Sequence, residues 1–219
     1  MLANSKGRPH EVRLASSDMR VLRPVESGAA KPPLRLLLRA ATHDVHQRLH
    51  RHDGFAAIQN ATIGLTAYRL LLIRLHGFYI PLEAAAAIGG HRSGWLRDDL
   101  RALDVDQETL DSTPICPFLP RLGSESRRLG ALYVVEGSAL GGQELGRGLD
   151  HLLGAGAPDG RRFFAGRGSA TGEGWKRFLA VLSAASADPT ATAEIVGAAV
   201  DTFAVFEKWL TGWSAVKHD

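Results

Sequence analysis

Between Leu129 and Gly148 the chain carries glycines at 130, 137, 141, 142, 146 and 148 inside an otherwise helical pattern. Each interior glycine costs a helix about 1 kcal/mol relative to alanine, so this density calls for a compensating use of the missing side chains. At about 100° per residue, Gly130, Gly137, Gly141 and Gly148 fall within roughly 40° of one another, while Gly142 and Gly146 point away. A face without side chains admits a second helix packed backbone to backbone. It equally admits a flat ligand laid against the helix, and it permits a kink. Spacing alone does not separate these readings. Tyr133, one turn before Gly137, and Ser138 would set hydroxyl groups beside such a ligand. Core packing and a local backbone hydrogen bond account for them equally well.

The remainder of the chain also reads as helix. A helix is expected from Leu34 to about His52, followed by a loop over 53–64. A second starts at Thr66 as its cap and carries Tyr68, Leu72, Leu75, Tyr79 and Leu82 at helical spacing, with Pro81 as a candidate kink. A shorter helix covers about Gly94–Leu103. Pro114, Pro117 and Pro120 precede a long helical pattern from about Arg121 to Leu153. A Gly- and Arg-rich loop is expected over 154–174, then a helix over Trp175–Ala185. Asp188 as cap and Pro189 at the first helical position start a last helix to about Trp213. No segment sustains period-two alternation, so the expected fold class is all-α.

The pI near 9.3 is carried by one end of the chain. Residues 1–33 hold six Lys and Arg against three Asp and Glu, which leaves 20 of each in 34–219. Residues 1–33 are therefore expected to be a basic, flexible extension and 34–219 a single domain. A neutral body lacks the concentrated positive field that nucleic-acid binding needs. The single cysteine, Cys116, cannot form an internal disulfide, no stretch has the length of a membrane span, and the N-terminus lacks a continuous apolar core. The expected setting is cytoplasmic, without membrane or nucleic-acid partners.

Four of the nine histidines lie within ten residues, at 43, 46, 50 and 52. His43, His46 and His50 share one broad helical face. Such a cluster suits either a solvated surface or a metal-binding role, because neutral imidazole is a good iron ligand. A zinc site would need three or four convergent ligands, and no second cluster with zinc-like spacing is present. Arg39, seven residues before His46, lies on the same face. An axial nitrogen and a cation on one face suit a metalloporphyrin, whose carboxylates sit at the ring edge.

Over about 34–213 the sequence resembles the bacterial haem oxygenases, particularly those found beside bacterial phytochromes. The stretch Leu38-Arg39-Ala40-Ala41-Thr42-His43-Asp44-Val45-His46 is similar to the family's proximal helix, where Thr or Ser lies four residues before the iron-binding His. The resemblance selects His46 as the ligand of haem b and Arg39 as partner of a haem propionate. The stretch Leu129–Gly142 is similar to the distal helix, whose bacterial form reads close to Leu-Tyr-Val-x-Glu-Gly-Ser-x-Leu-Gly-Gly. It implies Gly137, Ser138 and Gly141 over the ring, with Tyr133 and Gly142 beside it. Animal-type members carry an Asp where Ser138 stands, so the distal water network needs another anchor, with Arg97 and His76 as candidates. Phe206 is a candidate flank of the haem edge, against the alternative of core packing with Phe203 and Trp209. Cys116-Pro117 resembles Cys-Pro haem-regulatory sites, with a buried structural cysteine as the alternative.

The resemblance implies oxidative opening of haem to biliverdin, carbon monoxide and ferrous iron, with O₂ on the face under Gly137–Gly141. Electrons would come from an external donor of the ferredoxin or reductase type, since no nucleotide-binding Gly-rich unit is present. A bacterial phytochrome is a candidate recipient of the biliverdin. The rivals are a haem carrier or sensor using the same pocket, a helical relative acting on another small molecule as thiamin-degrading enzymes do, and an interaction module.

Overall fold

Pro81 lies inside a helix and has no N–H to offer the carbonyl four residues earlier. That carbonyl belongs to Gly77, and it accepts the N–H of Cys116 at 2.9 Å instead. The connection works because Gly77 has no Cβ: one built there would collide with the Pro114 carbonyl. The Pro-rich 114–120 segment is thereby docked on the helix, with Cys116 buried. Its burial supports the structural alternative for Cys116.

The structure is a computed structural model and describes residues 32–185 and 188–213. The extension expected over 1–33 lies outside the described residues except for Pro32 and Pro33. The helices are α1 (Leu34–His50), α2 (Asp53–Gln59), α3 (Leu65–Ala86), α4 (His91–Ala102), α5 (Gln107–Asp111), α6 (Glu125–Arg147), α7 (Asp150–Leu153), α8 (Arg162–Ala165), α9 (Thr171–Ala185) and α10 (Pro189–Leu210). No strand occurs among the described residues, so the all-α expectation holds. No described helix is long and apolar enough to cross a membrane.

Several boundaries differ from expectation, each for a local reason. The 53–64 loop contains α2, because His52 caps it: its Nδ1 accepts the Gly54 N–H at 3.2 Å. Thr66 does not cap α3, which begins at Leu65 after Gly64 without a side-chain cap. The 154–174 loop contains α8, whose first amides, Arg162 and Phe163, donate to the Asp99 carboxylate at 2.6 and 2.8 Å. Asp99 arrives from α4, so no local signal marks α8. The Asp188–Pro189 start of α10 is as expected, with Asp188 accepting from the Thr190 and Ala191 amides.

The most extensive helix pair is α6 with α10, and α1 also packs on α10. Gly130 permits the first of these contacts. A Cβ there would meet the Ile195 carbonyl, the Ala198 Cβ at 2.8 Å and the Ala199 amide nitrogen at 2.9 Å. The obstacle is mostly backbone, which cannot rotate aside. Gly130→Ala should therefore destabilise the fold by about 1–3 kcal/mol, outweighing the propensity gain of up to about 1 kcal/mol. Urea or thermal unfolding measures this, and a stabilised variant would contradict the close α6–α10 approach.

Candidate functional site

The long helices leave a cavity of about 270 Å³, bordered by α1 and α10 and by the glycine-rich half of α6. α1 contributes Thr42, His46, Leu49 and His50, while α10 contributes Phe203 and Phe206. Both follow from helical periodicity, with apolar side chains turned inward and the next residues on the same face reaching the cavity rim. Facing α1, α6 presents Tyr133, Gly137, Ser138, Gly141 and Gly142. Trp175 from α9 and Phe163 and Phe164 from α8 close the sides.

The glycine face divides by function along its length. Gly130 serves helix packing, and Gly148, just past the helix end, lets the Ile58 carbonyl approach. At Gly141 a Cβ would find nothing within 4 Å, and at Gly137 it would meet only the Trp175 ring edge at 3.7 Å. These two face open space. Gly142 also borders the cavity, but its own Cβ position points at the Phe164 carbonyl, 3.1 Å away. It therefore admits α8 rather than a ligand directly above it.

The histidine cluster divides likewise. His52 is committed to capping α2 and lies 3.3 Å from the Leu210 carbonyl. His43 is exposed and does not border the cavity. His46 and His50 both do, with ring centroids 4.5 Å apart in an edge-on arrangement. Partial burial lowers the His46 pKa, and His50 and His43 push it the same way. A neutral imidazole with a free nitrogen is what metal coordination requires. Thr42 is occupied locally, donating to the Leu38 carbonyl at 2.8 Å. Among the described residues, no group of three His, Cys, Asp or Glu is placed to hold a metal, so the zinc alternative has no cluster behind it.

Arg39 is exposed and is not part of the cavity wall. It lies close enough to Tyr133, which is part of that wall, to counter the rise that burial imposes on the phenol. Arg35 and the Thr42 hydroxyl act in the same direction. Two cations therefore act on this residue of the cavity wall. Phe206 contacts Phe78, centroids 4.7 Å apart, while borrowing one face for the cavity. Trp209, expected to pack with it, is instead stacked under Arg74 at 3.5 Å.

The polar end of the cavity corrects the sequence reading. Neither Arg97, which is exposed, nor His76, which is buried without a hydrogen-bond partner among the described residues, reaches the cavity wall. The polar groups there are Tyr79, Arg92 and Ser138. The Ser138 hydroxyl donates to the Val135 carbonyl at 2.8 Å and lies 3.5 Å from the Tyr79 hydroxyl. Burial raises the Tyr79 pKa, with Arg92 and Ser138 pulling it back. Tyr79 was legible only as a core position of α3. Arg92, Trp175, Phe163 and Phe164 come from elements that no local motif connects to the glycine helix.

Comparison with known proteins agrees with this all-helical fold. The family model described as Heme oxygenase matches residues 33–212. A curated Heme oxygenase of Xanthomonas campestris pv. campestris is 34% identical over 126 residues, which cover 54% of this chain and 71% of that protein. Among solved structures, the heme oxygenase of Leptospira interrogans superposes with a TM-score of 0.67 at 14% identity, covering 82% of this chain and 99% of that one. Heme oxygenase-1 of the cyanobacterium Synechocystis, solved in complex with heme, gives a TM-score of 0.64 at 17% identity, covering 84% of this chain and 95% of that one.

Proposed function

The chain belongs to the haem oxygenase family, and we propose that it binds haem b between α1 and α6 and converts it to biliverdin. The observation that carries this reading is the pairing of an imidazole at His46 with the side-chain-free face at Gly137 and Gly141 across one cavity. The residues present fit the group. Leu49, Phe55, Leu75, Phe203 and Phe206 supply apolar walls for a flat ring, and the open space at Gly141 leaves room on the far side.

When bound, haem supplies both the iron that activates O₂ and the ring that is opened, releasing biliverdin, carbon monoxide and ferrous iron as an external donor provides electrons. His46 would ligate the iron through a neutral nitrogen, a role its lowered pKa favours. Arg39 would pair with a propionate at the mouth, as charge-assisted contacts to carboxylates do. Tyr133 would border the same edge, and Phe206 would flank the ring. Gly137 and Gly141 would line the distal side with backbone in place of side chains, leaving room there for a small ligand. Ser138 and Tyr79 would hold protons there, each hydroxyl being able to donate and accept. Ser138 also supports assignment to the branch found beside bacterial phytochromes, for which biliverdin delivered to such a photoreceptor is the natural product. A ferredoxin-type donor is the matching electron source.

The test is to add haem and then ascorbate or a ferredoxin system in air. The Soret band is expected to appear on binding and to decay on reduction, leaving a biliverdin isomer identified by chromatography. A stable oxygen complex that gives no biliverdin with either reductant would replace this reading with that of a haem carrier. Failure to generate a Soret band would remove haem altogether.

A further inference from the structure

The N-terminus of α4 is capped from outside. Its preceding residue, Gly90, offers no side chain, and the Glu83 carboxylate of α3 takes its place. That carboxylate accepts the Arg92 N–H at 2.7 Å, the Ser93 N–H at 3.2 Å and the Ser93 hydroxyl at 2.5 Å. The clamp, itself buried, fixes the first turn of α4 and so fixes where the Arg92 side chain starts. From there Arg92 runs through the interior to the cavity wall, with its side chain only 5% exposed.

A buried cation of this kind is expensive unless its charge is matched by close hydrogen-bonded partners. Here the match is incomplete. Among the described residues its ion pair is with Glu136 at 3.9 Å, beyond direct hydrogen-bond reach. Glu136 is more closely engaged by Arg167, at 3.1 and 3.4 Å to its two oxygens. The Trp95 ring lies 5.2 Å from the Arg92 guanidinium and provides a π face, not a counter-ion. The same guanidinium acts on the buried Tyr79 hydroxyl, which lies 3.5 Å from the Ser138 hydroxyl.

We propose that Arg92 is the distal cation of this site, making the end of the cavity bounded by Tyr79 and Ser138 a receptor for a small anion. The inference rests on haem occupying the cavity with its iron at His46. In the working enzyme Arg92 stabilises negative charge that develops on the distal side, and holds the Tyr79 and Ser138 hydroxyls in its field. A residue that merely tied α4 to Glu136 would give neither effect.

The probe is azide binding to the ferric haem complex, followed by the Soret shift, with carbon monoxide binding to the ferrous complex as the uncharged control. Arg92→Met should weaken azide about tenfold or more while leaving carbon monoxide nearly unchanged. Arg92→Lys, which keeps the charge without the planar fork, should give an intermediate azide affinity. Glu136→Gln removes the competing carboxylate and should tighten azide severalfold, a result that remains available if Arg92→Met does not fold. Unchanged azide affinity in these variants would overturn the proposal, as would a parallel loss of both ligands, which would mark Arg92 as a shape-keeping residue. Those outcomes leave haem uptake intact, whereas absence of a Soret band in the unsubstituted protein would overturn the haem reading and this one together.

Discussion

His46→Ala is expected to leave a folded protein that still takes up haem but no longer turns it over. His46 borders the cavity with much of its surface still exposed and makes no hydrogen bond among the described residues, so its loss should change stability by no more than about 0.5 kcal/mol. Uptake persists because the apolar walls from α1, α3 and α10 are untouched. Turnover should drop on the order of 100-fold or more, since even the supporting groups around a metal ligand are worth about 10- to 100-fold. The ferric spectrum should change with it. Added imidazole, which fits the space the side chain leaves, should restore part of the spectrum and of the activity. His50→Ala is the necessary companion, because His50 borders the same cavity with its ring 4.5 Å from that of His46. A normal spectrum in His46→Ala together with a lost one in His50→Ala would move the ligand one turn along α1.

How much of this was readable beforehand depends on whether a feature's cause lies close by in the chain. The start of α10 was legible because Asp188 and Pro189 are adjacent to the amides they serve. The start of α8 was not, because Asp99 reaches its amides from a different helix. The clamp of Glu83 on α4 is hidden for the same reason, and with it the delivery of Arg92 to the cavity. α2 was hidden differently: histidine is an uncommon cap, so His52 read as one more member of a cluster instead of a helix boundary. The glycine helix was legible as a face but not as two halves. Periodicity puts Gly130 and Gly141 in line, and only the position of α10 decides which of them meets a neighbour. Helix packing accounts for Gly130, while Gly137 and Gly141 face open space and are the positions to which the ligand reading applies.

That division makes Gly141→Leu the most discriminating substitution on α6. Its Cβ position is open to at least 4 Å, so alanine there meets no obstacle and should gain helix propensity of up to about 1 kcal/mol. Leucine should also fold, because its side chain can extend into the cavity without displacing backbone. Gly130→Ala, on the same face, is expected to do the reverse, destabilising the protein by crowding Ile195 and Ala198 while sparing the site. In the haem complex the consequences should invert. Gly141→Ala should lower the oxygen affinity of the ferrous complex and slow biliverdin formation, and Gly141→Leu should abolish it by filling the distal space. Thermal unfolding, oxygen affinity and product yield on the same samples separate the two kinds of glycine. Full yield and normal oxygen binding in Gly141→Leu would mean that the ring does not lie beneath this residue, and the placement of haem against α6 would have to be abandoned.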